Sequence, residues 1–167
     1  TRVLTPPLVP EIRLHLAEES LPIWQKTEDE LGEMNVPPPF WAFAWAGGQA
    51  LARFLLDTPD IVSGRSVVDL GSGSGLTAIA AKLAGAGPVL AADIDRLSCV
   101  AAGLNAALNG VSIAVTPDDL LAQAPSPVYV VLVGDLFYER ALAERVMAYL
   151  EAAAAAGAAV LIGDPKR

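Results

Sequence analysis

The sequence predicts a single α/β domain built on a mainly parallel sheet with helices on both faces, and three observations carry that expectation. From Val67 onward, short apolar runs rich in β-branched residues alternate with longer Ala- and Leu-rich segments. Alternating β and α with short connections means βαβ units and a parallel sheet. The first of the runs opens into Gly71-Ser72-Gly73-Ser74-Gly75, with glycine at alternate positions, followed at once by a helical stretch. Carboxylates also recur at or just past the ends of the predicted strands: Asp69, Asp93, Asp118 or Asp119, and Asp135. Right-handed crossovers bring the strand C-termini to one edge, and that edge is where such a fold binds its ligand.

Each element has its own justification. Ile12, Leu14 and Leu16 alternate with Arg13 and His15, the pattern of a short half-buried strand with His15 exposed on its polar face. Residues 22–32 set polar and acidic side chains around Trp24 and Leu31 and predict a short helix stopped by Gly32. Pro37-Pro38-Pro39 is stiff and extended. It divides residues 1–39, an N-terminal extension or lid too short to own a core, from a domain over residues 40–167. Residues 44–56 predict a helix with Ala50, Leu51, Phe54 and Leu55 on its apolar side. The alternating region then gives strand 66–70, helix 75–84, strand 88–92, helix 96–109 stopped by Gly110 and strand 111–115. Strand 128–134, helix 139–156 and strand 158–162 complete it. The alanine run 152–156 reads as helix packed tightly on the sheet.

Composition narrows the class. A chain of 167 residues is one domain large enough for a proper core. Its hydrophobic content of 53% and mean hydropathy of +0.45 are raised by alanine. The longest apolar run, residues 152–162, is broken by Gly157 and falls short of the ~18 residues of a membrane span. No basic stretch followed by an apolar core marks a secretory signal, and a cytoplasmic location is expected. One cysteine, Cys99, and one histidine, His15, exclude an internal disulfide, a Cys-cluster or His-based metal site and an ordinary His-centred triad. Cys99 lies in an apolar helix and reads as inert. The net charge of −8, with 11 scattered basic residues, argues against nucleic acid as the main partner.

The glycine turn is the most informative segment. Strand, glycine turn and helix in that order bring main-chain N–H groups and an open helix N-terminus to one point beside the sheet. A dinucleotide fingerprint G-x-G-x-x-G fails, because its third glycine position is Leu76. What stands instead, Asp69-x-Gly71-x-Gly73-x-Gly75, resembles motif I of the seven-strand, S-adenosylmethionine-dependent methyltransferases. That resemblance implies that the turn, with Ser72, runs beside the amino-acid end of the cofactor. Asp93 ends the second strand ~20 residues on, where a nucleotide-binding βαβ unit places its ribose acid. A carboxylate suits vicinal ribose hydroxyls because it accepts two hydrogen bonds. Ile94 follows it at the cofactor. The alternative is a turn that serves packing alone.

Further segments point within that class. They are Phe40-Trp41-Ala42-Phe43-Ala44-Trp45-Ala46-Gly47-Gly48-Gln49, Ala92-Asp93-Ile94-Asp95, Asn105 with Asn109-Gly110, Gly134-Asp135-Leu136-Phe137-Tyr138 and Leu161-Ile162-Gly163-Asp164-Pro165. Together they resemble the electron transfer flavoprotein β-subunit lysine methyltransferases, part of a wider group of protein lysine methyltransferases marked by D-x-x-Y after the fourth strand. The resemblance covers about Pro10 to Pro165. It implies a Rossmann-like class I methyltransferase sheet of seven strands, but the pattern continues past Gly-Asp-Pro with a helix and a final antiparallel strand pair. The present sequence stops at Arg167, so that strand pair is expected to be lacking, which would leave an edge strand open to association.

The same resemblance implies the chemistry. Methyl transfer from S-adenosylmethionine, leaving S-adenosylhomocysteine, requires no metal. Asp135 and Tyr138 are then the catalytic Asp and Tyr of D-x-x-Y, and Trp45 contacts the cofactor. Asp118 or Asp119 accepts from the adenine amine. The alternatives are an N-cap before Leu120-Leu121 for Asp118 and Asp119, an N-cap with core aromatics for Asp135 and Phe137-Tyr138, and packing for Trp45. The expected partner is a protein with exposed lysines, the electron transfer flavoprotein β-subunit first. A ribosomal protein of L11 or L7/L12 type, or a small amine, is the alternative; the L11 enzymes share Asp-Ile-Asp and Asn-Gly-Val but read Asn-Pro-Pro after the fourth strand. A non-catalytic binding module would have no need of Asp69, the glycines and Asp93 together.

Overall fold

In the computed structural model, which describes residues 1–17 and 38–165, five strands form one parallel sheet. They are β3 (Val67–Leu70), β4 (Val89–Ala92), β5 (Ala114–Thr116), β6 (Val130–Gly134) and β7 (Ala159–Gly163). Their order is β5-β4-β3-β6-β7. Val67 stands opposite Val89 on one side and Val130 on the other. The chain therefore winds outward from β3 one way, returns, and winds outward the other way from β6. A doubly wound sheet opens its crevice where the winding reverses, outside the C-terminal ends of β3 and β6. This is the expected Rossmann-like parallel sheet, with five strands among the described residues.

Among the described residues, four helices cover it: α1 (Ala46–Asp57), α2 (Leu76–Leu83), α3 (Arg96–Leu108) and α4 (Arg140–Ala155). Side chains alternate across a strand, and here both faces are buried. Val67, Val130 and Leu132 pack with Leu51 and Leu55 of α1 and Ile79 of α2. Val68, Leu70, Val131 and Val133 pack with Val146, Tyr149 and Leu150 of α4 on the other face. Burial on both faces is why β6 reads as a continuous apolar run.

The start of α1, its buried face and the start of β5 depart from expectation. Helix α1 starts at Ala46 because Trp45 is its extended N-cap, and its buried face is Gly47, Gly48, Leu51, Ala52 and Leu55. Ala50 and Phe54, expected on the apolar side, are exposed. The face is chosen by the glycines: a Cβ on Gly47 would overlap the carbonyl oxygen of Gly163, and one on Gly134 would lie 3.1 Å from Gly48 Cα. Glycine at these positions lets the helix settle onto the ends of β6 and β7. Strand β5 begins three residues late, since Val111 and Ile113 turn inward against the core instead.

The N-terminal residues hold a two-stranded antiparallel hairpin, β1 (Arg2–Leu4) with β2 (Leu14–Leu16). The expected strand is present from Leu14, and its β1 partner was not anticipated. Val9, Ile12 and Leu14 are fully buried in the same cluster as Leu51 and Ile79. His15, expected to be exposed, is half-buried. The helix expected at residues 22–32 lies outside the described residues. Among the described residues, no helix is long and apolar enough to cross a membrane.

Candidate active site

A cavity of about 900 Å³ opens at the reversal point of the sheet. It is walled by the segments that follow β3, β4, β5 and β6, with residues before α1 at its mouth. Its volume lies in the range of small-molecule sites.

The turn after β3 supplies backbone. Gly71, Gly73 and Gly75 have φ of +60°, +52° and +81°, a region L side chains resist. Their roles differ. Gly71 and Gly73 line the cavity, and a Cβ on Gly73 would meet nothing nearer than 3.8 Å. A Cβ on Gly75 would lie 3.0 Å from Cα and Cβ of Ala102, so glycine there lets α2 approach α3.

Asp69, Ser72 and Gly75, expected at the cofactor, do not line the cavity: Asp69 stands behind the turn, and Ser72 and Gly75 are members of it that the cavity does not reach. Asp69 is 1% exposed. Its Oδ2 accepts from Ser72 Oγ at 2.6 Å and from the Ala78 N–H at 3.1 Å, bracing the turn against the first turn of α2. Its Oδ1 is buried with no partner among the described residues. Burial pushes this carboxyl from 3.8 up to about 7. Because the folded-state value is the higher one, the folded protein binds the extra proton between those limits. Stability from this group is therefore present at low pH and is lost as pH rises from about 4 to about 7, by at most ~4 kcal/mol. Denaturant unfolding of Asp69→Asn across that interval should show a clearly flatter pH dependence than the parent; equal slopes would refute the assignment.

Asp93 follows β4 and faces the cavity. Its Oδ2 accepts from the Gly73 N–H at 2.9 Å and its Oδ1 from the Asp95 N–H at 2.9 Å. Burial raises its pKa, and those two backbone bonds oppose the rise. Each carboxylate oxygen keeps a second lone pair for a ligand hydroxyl. Ile94, 74% exposed, sets an apolar side chain on the rim beside it.

Past β5, Asp119 caps the 3-10 turn Leu120–Ala122, its Oδ1 accepting from the Leu121 N–H at 3.1 Å. Its Oδ2 accepts from Arg145 of α4 at 2.6 Å. Asp118 Oδ2 accepts from Thr116 Oγ1 at 2.8 Å. Both carboxylates line the cavity, together with Leu121 and Leu142.

Past β6, Asp135 has φ of +56°. Its Oδ2 accepts from the Gly48 N–H at 2.7 Å and its own N–H donates to the Gly163 carbonyl at 2.9 Å. The Gly48 N–H lies in the first turn of α1, one of the donors without an intrahelical acceptor, where a negative charge is favoured. A strained residue pinned from two sides marks a functional candidate. Tyr138, 58% exposed, packs on Phe40 at a ring-centroid distance of 5.8 Å, and Phe40 packs on Trp45 at 6.1 Å. Trp45 Nε1 donates to the Phe40 carbonyl at 2.9 Å. All three rings line the cavity with Asp135. Partial burial raises the Tyr138 pKa, so the phenol keeps its proton at neutral pH.

The site thus offers a glycine backbone, a carboxylate fixed for paired hydroxyls, an apolar slot and an aromatic mouth with a held carboxylate. A nucleoside carrying an amino-acid tail fits that set of donors and acceptors.

Comparison with known proteins agrees. A family model for ribosomal protein L11 methyltransferase (PrmA) matches residues 51–133. The solved ribosomal protein L11 methylase from Lactobacillus delbrueckii subsp. bulgaricus superposes with a TM-score of 0.57 at 32% identity, over 71% of this chain and 60% of that one. The electron transfer flavoprotein beta subunit lysine methyltransferase of Rattus norvegicus is 42% identical over 96% of this chain and 62% of its own length. Its counterpart from Xenopus laevis is 41% identical over 100% of this chain and 68% of its own length. The chain belongs to the electron transfer flavoprotein β-subunit lysine methyltransferase family. It spans about three fifths of the length of the first relatives it matches, 62% for the rat protein.

In this member of the lysine methyltransferase family, sequence reasoning missed Gly48, Arg145 and Phe40 as site residues. The Gly47-Gly48 pair at a helix start was the available signal for the first. Arg145 lies in an amphipathic helix and carried none.

Proposed function

We propose that the protein binds S-adenosylmethionine in this cavity and transfers its methyl group to lysine side chains of a partner protein. The electron transfer flavoprotein β-subunit is the first candidate. The observation that carries the reading is that Asp135, Leu136 and Tyr138 wall the same cavity as Gly71, Gly73 and Asp93. One site then serves both the donor of the methyl group and the amine that receives it.

When bound, the sulfonium cofactor supplies an activated methyl group. Gly71 and Gly73 present backbone to it, Asp93 accepts from the ribose hydroxyls, and Ile94 with Leu121 flanks the base. Asp118 is the better candidate for the adenine amine, because the Asp119 charge is already paired with Arg145 at 2.6 Å, whereas Asp118 accepts from the neutral Thr116 Oγ1. Trp45 shapes the floor of the mouth. Asp135 docks the incoming lysine ammonium and orients the amine once its proton has left. A free lysine has a pKa of ~10.4, so the ammonium gives up a proton to solvent water before attack. Protonated Tyr138 is no base; its ring and that of Phe40 wall the aliphatic stem and offer a face to the cation. Positioning supplies much of the rate in such a transfer.

A second reading, methylation of a ribosomal protein, draws on the matched family model and on the shared Asp93-Ile94-Asp95. Asp135-Leu136-Phe137-Tyr138 in place of Asn-Pro-Pro favours the first. Incubation with methyl-labelled cofactor and purified electron transfer flavoprotein or ribosomal protein L11 separates them. Label on the flavoprotein β-subunit, released as methyllysine on hydrolysis, is expected; label confined to the ribosomal protein reverses the assignment.

A further inference from the structure

We propose that Asn105 is a positioning residue for the cofactor turn, through which the N-terminal hairpin sets the backbone facing the cavity; this rests on reading that turn as the S-adenosylmethionine site. Asn105 lies in the last turn of α3 and Asn109 is its C-cap, one helical turn on, so their side chains share a face about 6 Å apart along the axis. Arg13 and His15 are two residues apart on or beside β2, about 6.6 Å along an extended chain. The two repeats nearly coincide, and the side-chain amides take the place of a neighbouring strand. Asn109 Oδ1 accepts from the Arg13 N–H at 2.9 Å and its Nδ2 donates to the Arg13 carbonyl at 2.6 Å. Asn105 Oδ1 accepts from the His15 N–H at 2.7 Å.

Asn109 turns back from there, its Nδ2 also donating to the Asn105 carbonyl at 2.7 Å. Asn105 goes forward: its Nδ2 donates to the carbonyl of Ser74 at 2.8 Å. Ser74 stands between Gly73, whose N–H is held by Asp93, and Gly75, whose N–H donates to the Ser72 carbonyl at 2.8 Å. Asn105 is 0% exposed. Its amide cannot be flipped, because its oxygen faces a donor and its nitrogen faces an acceptor. A buried amide that loses one of these partners is left with an unsatisfied group. No residue of the hairpin lines the cavity, yet the hairpin fixes one end of the amide whose other end fixes the turn.

Asn109→Ala is the control, since it cuts the same helix–strand pairing without touching the turn. Titration calorimetry with S-adenosylmethionine and hydrogen exchange without it are run on the full chain, well below the melting temperature of each variant. Asn105→Ala should bind about tenfold more weakly, with faster exchange at residues 73–75, while Asn109→Ala should stay within about twofold of the parent with turn exchange unchanged. If Asn105→Ala does not fold, His15→Pro decides, because it removes the N–H that the Asn105 oxygen accepts. Faster turn exchange in His15→Pro supports the coupling and unchanged exchange overturns it. Parent-like affinity in Asn105→Ala, or an equal loss in Asn109→Ala, also overturns it. Absence of cofactor binding by the parent would remove the cofactor reading; faster turn exchange in Asn105→Ala alone would still establish the coupling.

Discussion

Asp135→Asn is expected to lower the methylation rate by about 100-fold while cofactor affinity stays near that of the parent. The substitution suits the position. Asp135 holds φ of +56°, and asparagine is among the few residues that enter the left-handed region readily. An amide oxygen can still accept from the Gly48 N–H, so the clamp onto α1 survives. What changes is the charge, and one acceptor becomes a donor aimed at an amine that needs an acceptor. Removing a negative charge from a helix N-terminus costs about 0.3–1 kcal/mol, so the melting point should fall only slightly. Asp135→Ala would confound the result, since alanine resists that backbone conformation. Single-turnover rates on the flavoprotein substrate, with cofactor binding by calorimetry, provide the check. Parent-level turnover by Asp135→Asn would make the Asp-Leu-Phe-Tyr segment structural and leave the methyl acceptor unassigned.

The parts of the site that were legible in the sequence are those fixed by local pattern. Val67–Leu70 into alternate glycines, and Ala91-Ala92-Asp93 at the end of the next strand, carry their geometry in residue order. The backbone N–H of Gly73 does meet the Asp93 carboxylate, 20 positions away. What was illegible depends on contacts that no periodicity reports. The exposed Ala50 and Phe54 were placed inward because their hydrophobicity outweighs that of glycine. The packing of Gly47 on Gly163 rotates α1 so that Leu51 and Leu55 stay inward while Ala50 and Phe54 do not. Asp69 matches the motif acid in type and position, yet it works from behind the turn, a distinction of depth that a sequence does not encode. Asn105 and Asn109 stood out as a pattern, but their meaning lies in the match between a helical repeat and an extended one, and that match requires both elements in place. The bonds that Arg13 and His15 make to the two asparagines use main-chain groups alone, which carry no side-chain signature.

Substituting Gly73 and Gly75 should give opposite phenotypes. Gly73→Val should reduce S-adenosylmethionine affinity more than about 100-fold, because a branched side chain would fill space the cavity needs and would hold the turn off its φ of +52°. The neighbourhood itself offers little obstruction, as the nearest atom to a Cβ there is Trp41 Cα at 3.8 Å. The stability loss should therefore be the backbone term, about 1–2 kcal/mol. Gly75→Ala carries the same strain at φ of +81° and also drives its Cβ to 3.0 Å from Ala102, inside the α2–α3 contact. Its larger effect should be on melting temperature, with the affinity of the remaining folded protein reduced far less than in Gly73→Val. Calorimetry for the ligand and thermal unfolding by circular dichroism, run on both variants, read the two effects separately. If Gly73→Val loses stability and binding in proportion, as Gly75→Ala would, the turn is a packing device. The place assigned to the cofactor beside Gly73 would then be wrong.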